Sequence, residues 1–137
     1  MGKQRQKVYV YIKGVQVSGE ETDENIVETE GEIIEKDGKK YVLFSDDQTD
    51  TIIRISNYDI QVIKKGHINS KMNFCNEKED SFMYNTTYGA FLMSIVTKFI
   101  KIEKNSDEIE ISIKYDLYTD HVFTAECNMD IFIKNKY

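Results

Sequence analysis

The residue types that most often carry chemistry are scarce in this sequence. Its two histidines, His67 and His121, each stand beside a turn signal at the start of a predicted strand. Either could serve as a base or a metal ligand, but an exposed turn histidine is the simpler interpretation. No carboxylates with ligand spacing converge on them. We therefore predict no catalytic residue, no metal site and no cofactor.

The two cysteines, Cys75 and Cys127, have no spacing typical of a metal or redox motif. Cys127 falls on the apolar face of a predicted strand. This favours a structural thiol over a nucleophile, because apolar burial raises the pKa of a thiol. Cys75 falls on the opposite face of its own strand and is expected to be more exposed. The sequence allows one disulfide between them or two reduced thiols, and a cytosolic protein would keep them reduced.

Two groups of like charge could bind ions. The acidic segment 20–25 could hold a hard cation, but it lacks the glycine-punctuated oxygen spacing of a calcium loop. We interpret it as a solvated loop. A group of lysines could form a basic patch, although their acidic neighbours favour solvated strand edges instead. These lysines are Lys64, Lys65, Lys98, Lys101 and Lys104.

The most informative side chains are polar or aromatic ones on strand faces that otherwise look like core. We predict that they bind a ligand, and they are Gln16, Tyr41, Arg54, Ser70, Tyr84, Thr86 and Tyr115. Tyr84, Thr86 and Tyr115 would be polar anchors, with Gln16 and Arg54 at the mouth of the site. If the ligand is an acid, Arg54 could pair with its carboxylate. The alternative is a filled core whose tyrosine hydroxyls bond to the backbone or to one another.

Short alternating runs separated by turn signals recur along the whole chain, which is typical of a sandwich or a barrel. Short connections force neighbouring strands to be antiparallel. So many strands in this length should curl into a barrel or pack as two layers. The predicted strands are Lys7–Val17, Ile26–Lys36, Lys39–Asp46, Asp50–Ser56, Ile60–Lys65, His67–Cys75, Ser81–Thr86, Ala90–Lys104, Glu108–Tyr118 and Val122–Lys134.

Several positions predict irregularities in these strands. Gly14 suggests a bulge or a close backbone approach, and Gly31 suggests a kink. The alternation slips near Lys98, which indicates another bulge. Asp37-Gly38 is the strongest hairpin signal, because Gly38 can adopt a positive φ at no steric cost.

Composition also favours an all-β fold. Ile, Val and Thr number 18, 9 and 9, whereas Ala and Leu number only 2 and 3. β-branched side chains suit a pleated sheet, and the best helix formers are nearly missing. The 137 residues suffice for one domain, 1–137, with its core at about 7–134. We predict a single antiparallel barrel of about eight to ten strands, whose closure removes exposed sheet edges.

The net charge of −6 disfavours nucleic acid and anionic membranes as partners. There is neither an apolar run of transmembrane length nor a signal-peptide pattern, which indicates a cytoplasmic protein.

Motifs spread in order along the chain, from about Lys7 to Lys134, resemble those of the YwiB-like family, small bacterial proteins that carry a domain of unknown function. The motifs are Gly14-Val15-Gln16, Glu30-Gly31, Asp37-Gly38-Lys39-Lys40-Tyr41, Lys65-Gly66, Ser70-Lys71-Met72-Asn73-Phe74, Tyr84-Asn85-Thr86-Thr87-Tyr88-Gly89, Thr97 and Tyr115-Asp116-Leu117. Three positions depart from the family pattern. Thr87 replaces a usual Pro, Lys65 a favoured Arg, and Phe44-Ser45-Asp46 a Tyr-x-Glu run.

The resemblance implies a calycin-type β-barrel, similar in shape to lipocalins and fatty-acid-binding proteins, and it implies no known activity. The sequence contains no Trp and so lacks the Gly-x-Trp signature of true lipocalins. Ligand binding argued from this shape is an analogy of fold.

Our leading hypothesis is therefore non-enzymatic binding of a small, partly apolar ligand inside the barrel. The alternative is a protein-interaction module with a packed core, in which Tyr9, Tyr11 and Tyr118 form a contact patch or a homodimer face. An enzyme is the third hypothesis, and it would need a strongly shifted carboxylate in a cleft, such as Asp46 or Glu30.

Overall fold

A computed structural model describes residues 5–46, 48–66 and 69–136. It confirms the all-β prediction. The strands are β1 (Arg5–Ser18), β2 (Glu21–Lys36), β3 (Lys39–Ser45), β4 (Thr49–Ile55), β5 (Asp59–Gly66), β6 (Ser70–Cys75), β7 (Glu79–Thr86), β8 (Gly89–Lys104), β9 (Glu108–Thr119) and β10 (Val122–Asn135). Within the described ranges there is no helix that could cross a bilayer.

The strands form one antiparallel sheet in the order β6-β5-β4-β3-β2-β1-β10-β9-β8-β7. The first and last strands pair with each other, from Val8 opposite Asn135 to Val17 opposite Glu126. The sheet curls until its two edge strands, β6 and β7, meet. At this seam a single bridge, Asn69 to Asn85, joins the two edges in the described part of the chain. The predicted barrel is therefore confirmed, and its seam lies between two strands that are consecutive in sequence.

One half of the barrel is a solid apolar core. Alternate residues of the long strands face inward, as the period-two pattern requires. On β9, Ile109, Ile111 and Ile113 are buried, and Ile131 and Ile133 of β10 lie beside them. The other fully buried side chains come from nearly every remaining strand and include Val8, Val10, Val42, Ile53, Ile55, Ile60, Phe74 and Ile95. β-branched side chains thus fill this end of the barrel.

The sequence predicts strand irregularities at three positions, and the structure confirms the one near Lys98. The pairing of β8 with β9 shifts between Thr97 and Phe99, so the bulge at Lys98 is confirmed. The bulge at Gly14 is wrong, because the pairing of β1 with β2 and β10 runs through it without a shift. At Gly31 the pairing of β2 with β1 is continuous, and β2 pairs with β3 only from Glu32 onward, so the kink stays a prediction.

The acidic segment 20–25 is not the loop we predicted. β2 begins at Glu21, five residues earlier than the predicted start at Ile26. The segment continues the ladder with β1, and its acidic side chains remain exposed on the strand. The first residues of β2 need no alternation of apolar and polar side chains, because the hydrophobic core does not extend behind this part of the strand.

The predicted Asp37-Gly38 hairpin is confirmed, with φ of 53° at Asp37 and 76° at Gly38. This pair of positive φ values is typical of the tight turn that matches the twist of two antiparallel strands. The β9–β10 turn has the same feature at Asp120 and His121, where φ is 47° and 69°. His121 is therefore an exposed turn residue. His67 and Ile68 lie outside the described residues, and β6 is described from Ser70.

Candidate functional site

The barrel is open at the end where β1 turns into β2 and β5 leads into β6. A cavity of about 700 Å³ enters here and stops above the solid core. Its walls are inward-facing side chains of the strands, continuing the same faces that form the core below. The apolar part of the lining is Ile12, Val15, Val27, Phe44, Ile53, Val62, Met72, Phe82, Met93, Leu117, Met129 and Ile131.

Three methionines, Met72, Met93 and Met129, form much of this apolar wall. All three are half-buried and lie on different strands, β6, β8 and β10. Methionine side chains are flexible and polarisable, so they can adjust to the shape of an apolar molecule. The wall can therefore contact apolar groups of different shapes.

Four of the predicted ligand-binding residues line the cavity: Gln16, Ser70, Tyr84 and Tyr115. They come from β1, β6, β7 and β9, so the fold brings together residues far apart in sequence. Tyr115 is only 6% exposed, whereas Ser70 and Tyr84 are half-buried and Gln16 is exposed at the mouth. The cavity thus has hydrogen-bonding groups at several depths.

Tyr41 and Arg54 lie elsewhere. They are paired across β3 and β4 and face away from the cavity, because their neighbours Val42, Ile53 and Ile55 occupy the inward positions. Arg54 Nη2 lies 3.8 Å from an Asp59 carboxylate oxygen. The predicted place of Arg54 at the mouth is therefore corrected to the outer wall of the barrel.

Thr86 supports a turn rather than the cavity. Its hydroxyl donates to the carbonyl oxygen of Gly89 at 3.0 Å and accepts a hydrogen bond from the Tyr88 amide at 3.1 Å. These contacts hold the β7–β8 corner, where Tyr88 is almost fully exposed. The hydroxyl thus donates and accepts within the corner itself. Thr86 does not line the cavity.

Tyr115 and Cys127 form a buried polar pair on neighbouring strands. They are directly opposite each other in the β9–β10 ladder, and the phenol hydrogen-bonds to the cysteine sulfur. Burial is the main cause that raises the pKa of Tyr115, and burial also raises the pKa of Cys127 to about 11. The thiol therefore stays neutral at neutral pH, as expected for a structural cysteine. Both cysteines are free, and Cys75 is the more exposed one.

The sequence reasoning missed Lys64 and Thr51, which also line the cavity. The sequence instead favours a solvated strand edge for both Lys64 and Lys65. The signal was present in the alternation, because Ile60 and Val62 are buried and Lys64 is the next residue on the same face. Thr51 likewise precedes the buried Ile53 and Ile55 on β4.

The rim of the cavity is acidic on one side. Asp23, Glu24 and Asp46 line the opening and are all exposed. Glu24 lies 3.9 Å from the Lys13 ammonium. Glu30, the other candidate carboxylate, lies on the outer surface, where a hydrogen bond from Lys136 lowers its pKa. Throughout the part of the chain that is described, no three His, Cys, Asp or Glu side chains are placed to hold a metal ion.

The seam between β6 and β7 borders this cavity. Backbone ladders join the other neighbouring strands, whereas side-chain hydrogen bonds strengthen the seam. Asp80 accepts one from the Asn73 backbone amide at 3.3 Å and one from the Asn73 side-chain amide at 3.2 Å. Asn73 in turn accepts a hydrogen bond of 2.6 Å from Gln61 on β5. The wall of the barrel is thus least regular beside Ser70 and Tyr84.

A second depression, of about 900 Å³, lies at the opposite end of the barrel. It is bounded by the β2–β3 and β8–β9 turns, including Asp37, Gly38 and Ser106. Its lining is mostly polar or charged and lies among turns open to solvent. The cavity at the mouth, with its apolar walls inside the barrel, is the better candidate for a binding site.

Comparison with known proteins identifies the architecture. A family model described as a domain of unknown function, DUF1934, matches residues 10–131. The crystal structure of the ywiB protein from Bacillus subtilis superposes with a TM-score of 0.87, covering 97% of this chain and 94% of that one at 19% sequence identity. A search of curated proteins found no match. At this identity, the similarity to the solved structure concerns the fold alone.

Proposed function

The chain belongs to the DUF1934 family, a domain of unknown function, and from its cavity we propose that it binds a small, partly apolar molecule inside the barrel without transforming it. The observation that carries this proposal is the cavity itself. Ligand sites are typically clefts of about 300–1,000 Å³ with apolar walls and a few polar groups, and the volume of about 700 Å³ lies within that range.

The distribution of polar groups supports binding in a defined orientation. Tyr115 lies deep in the cavity, Tyr84 and Ser70 lie on the seam side, and Gln16 lies at the mouth. Each can donate or accept a hydrogen bond without changing its charge at neutral pH. An apolar molecule with one or two polar atoms would be held by the walls and oriented by these groups.

The experiment compares a variant that fills the cavity with a matched variant that does not. Val27 lines the cavity, whereas Ile26, the preceding residue on β2, is 48% exposed. We expect wild-type protein and Ile26→Trp to enhance the fluorescence of the neutral apolar probe N-phenylnaphthylamine. Val27→Trp should lose most of this binding, because the indole occupies the space. Equal binding by both variants, or no binding by the wild type, would contradict the proposal.

A second candidate function is association of two copies through the outer wall of β1 and β10. Tyr9 and Phe132 are 48% and 43% exposed there, and Tyr11 packs on Phe132 with ring centroids 5.9 Å apart. The third predicted contact residue, Tyr118, packs on Phe123 instead, with centroids 5.7 Å apart. Sedimentation equilibrium tests this candidate, since a dimer doubles the 16.0 kDa mass and Tyr9→Ser should restore the monomer. A monomer at all concentrations rejects it.

We also propose a cytoplasmic location. The support is that Cys75 and Cys127 are both free thiols, a state that reducing compartments maintain. Fractionation of cells that carry a tagged copy at its natural expression level tests this location, and recovery outside the cytoplasmic fraction contradicts it.

A further inference from the structure

Lys64 is a cation that faces into the barrel. It is half-buried and lines the cavity, on the same face of β5 as the buried Ile60 and Val62. Its sequence neighbour Lys65 is exposed on the opposite face. Lysine seldom faces inward unless something pairs with it, because loss of hydration disfavours the charge.

No described carboxylate pairs with Lys64. The ion pairs of the described ranges use other lysines, such as Lys13 with Glu24 and Lys98 with Asp116. The carboxylates that share the cavity, Asp23, Glu24 and Asp46, are exposed at its rim. Lys64 therefore lines the cavity without a carboxylate partner among the described residues, which leaves its charge to a bound molecule.

Two hydroxyl groups flank Lys64 in the same row of the sheet. Thr51 lies directly opposite it on β4, and Ser70 lies directly opposite it on β6. Opposite residues of an antiparallel pair have their Cβ atoms about 5 Å apart, so the three side chains can reach one group. Thr51 is 4% exposed and lines the cavity beside Lys64. The row thus offers three hydrogen-bond donors to a molecule in the cavity.

We propose that the molecule in the cavity is an amphipathic acid, whose anionic head binds to Lys64, Thr51 and Ser70 and whose apolar part lies along the barrel. This inference rests on the proposed function and specifies its ligand class. The carboxylate would accept a charge-assisted hydrogen bond from the ammonium group and neutral ones from the two hydroxyls. Phe44, opposite Thr51 in the same row, and Met72, two residues beyond Ser70 on the same face, begin the apolar wall beside this head site.

The acidic rim does not make a cationic ligand the better choice. Asp23, Glu24 and Asp46 are exposed to water, which screens their charges, whereas Lys64 is half-buried. A charge interaction is stronger in the less hydrated position. The rim would instead discourage a second anionic group, so the site favours molecules with one anionic end.

The test compares three ligands that share one chain and differ in the head group: decanoic acid, decanol and decylamine, each at neutral pH. Their affinities are measured by displacement of N-phenylnaphthylamine from wild type, Lys64→Met, Lys64→Arg and the control Lys65→Met. We expect wild type to bind the acid about tenfold more tightly than the alcohol. Lys64→Met should reduce the affinity for the acid to about that for the alcohol, Lys64→Arg should keep the preference, and Lys65→Met should leave it unchanged.

The outcomes separate this inference from the proposed function. Equal affinity for acid and alcohol in the wild type, or tighter binding of the amine, overturns the anionic head site and leaves binding in the barrel intact. If no probe or ligand binds, both fail. If Lys64→Met does not fold, the wild-type preference and its retention in Lys64→Arg still decide the matter.

Discussion

Phe74 on β6 and Tyr115 on β9 pack their rings together inside the barrel, with centroids 4.9 Å apart and planes inclined by 57°. Phe74 is fully buried, whereas Tyr115 lines the cavity. The pair therefore marks the level at which the solid core ends and the cavity begins. It also joins the seam strand β6 to β9, with which β6 forms no backbone ladder.

Phe74→Ala should lower the free energy of unfolding by about 3–5 kcal/mol, because it removes a large buried ring and leaves a void beneath Tyr115. The control is Phe132→Ala, whose ring is 43% exposed on the outer wall and should cost far less. Urea denaturation followed by circular dichroism measures both. Similar losses for the two variants would show that the interior ring pair does not stabilise the barrel.

Gly31→Ala should destabilise the protein by more than about 2 kcal/mol. A methyl group there would lie 2.5 Å from the carbonyl oxygen of Leu43, at the point where β2 leaves β3. Gly14→Ala is the matched control on the neighbouring strand, because the nearest atom to its added methyl is Asn25 O at 4.0 Å. Thermal unfolding should separate the two variants clearly, and an unchanged midpoint for Gly31→Ala would reject the close approach.

The sequence predicted the barrel because alternation on its long strands is unambiguous. On β9 every second residue from Ile109 to Leu117 is buried, as the alternation requires. On β10 alternate residues face inward from Ala125 onward, but Phe123, two residues earlier, is 49% exposed. A register shift between Phe123 and Ala125 turns the ring outward. Such a shift moves every side chain on one side of it to the other face of the sheet, and no residue type in the sequence indicates it.

The site was harder to predict than the fold because the short strands are apolar on both faces. On β4, Ile52 is half-buried and Ile53 is fully buried, so residue type does not say which face Arg54 shares. Lys64 could have been found from Ile60 and Val62 alone. It was missed because an inward lysine contradicts the usual rule for charged residues. Departures from that rule are often functional.

Thr97→Val should leave the protein as stable or raise its free energy of unfolding by about 1 kcal/mol. Thr97 is 1% exposed, and its hydroxyl has no partner among the residues that the structure covers. Valine has the same shape and no polar atom to desolvate. Thr97→Ser, which keeps the hydroxyl and loses a methyl group, should destabilise. Denaturant titration of the three proteins tests this order, and a clear loss of stability in Thr97→Val would mean that the hydroxyl has a partner such as a buried water.

The stability of the barrel should fall at alkaline pH because of Cys127. Burial raises the pKa of its thiol from 9.0 to about 11 in the folded protein. Between these values the unfolded chain has released the proton and the folded chain still holds it. The unfolded state therefore binds fewer protons, and the free energy of unfolding decreases as pH rises. The full stabilisation is present below about pH 9, and its loss across the window amounts to about 2–3 kcal/mol.

Denaturant titrations of wild type, Cys127→Ala and Cys75→Ala across this pH range isolate the contribution of the buried thiol. Cys127→Ala should be less stable at neutral pH, because it loses the contact with Tyr115, but its stability should decrease less steeply above pH 9. Cys75→Ala should follow the wild type, since Cys75 is more exposed. Cys127 also contributes to the raised pKa of Tyr115, so the difference between the two variants reports on the buried Tyr115–Cys127 pair. Parallel curves for all three would mean that the Cys127 thiol ionises at the same pH in the folded and unfolded chains, and that burial in the β9–β10 wall does not protect it.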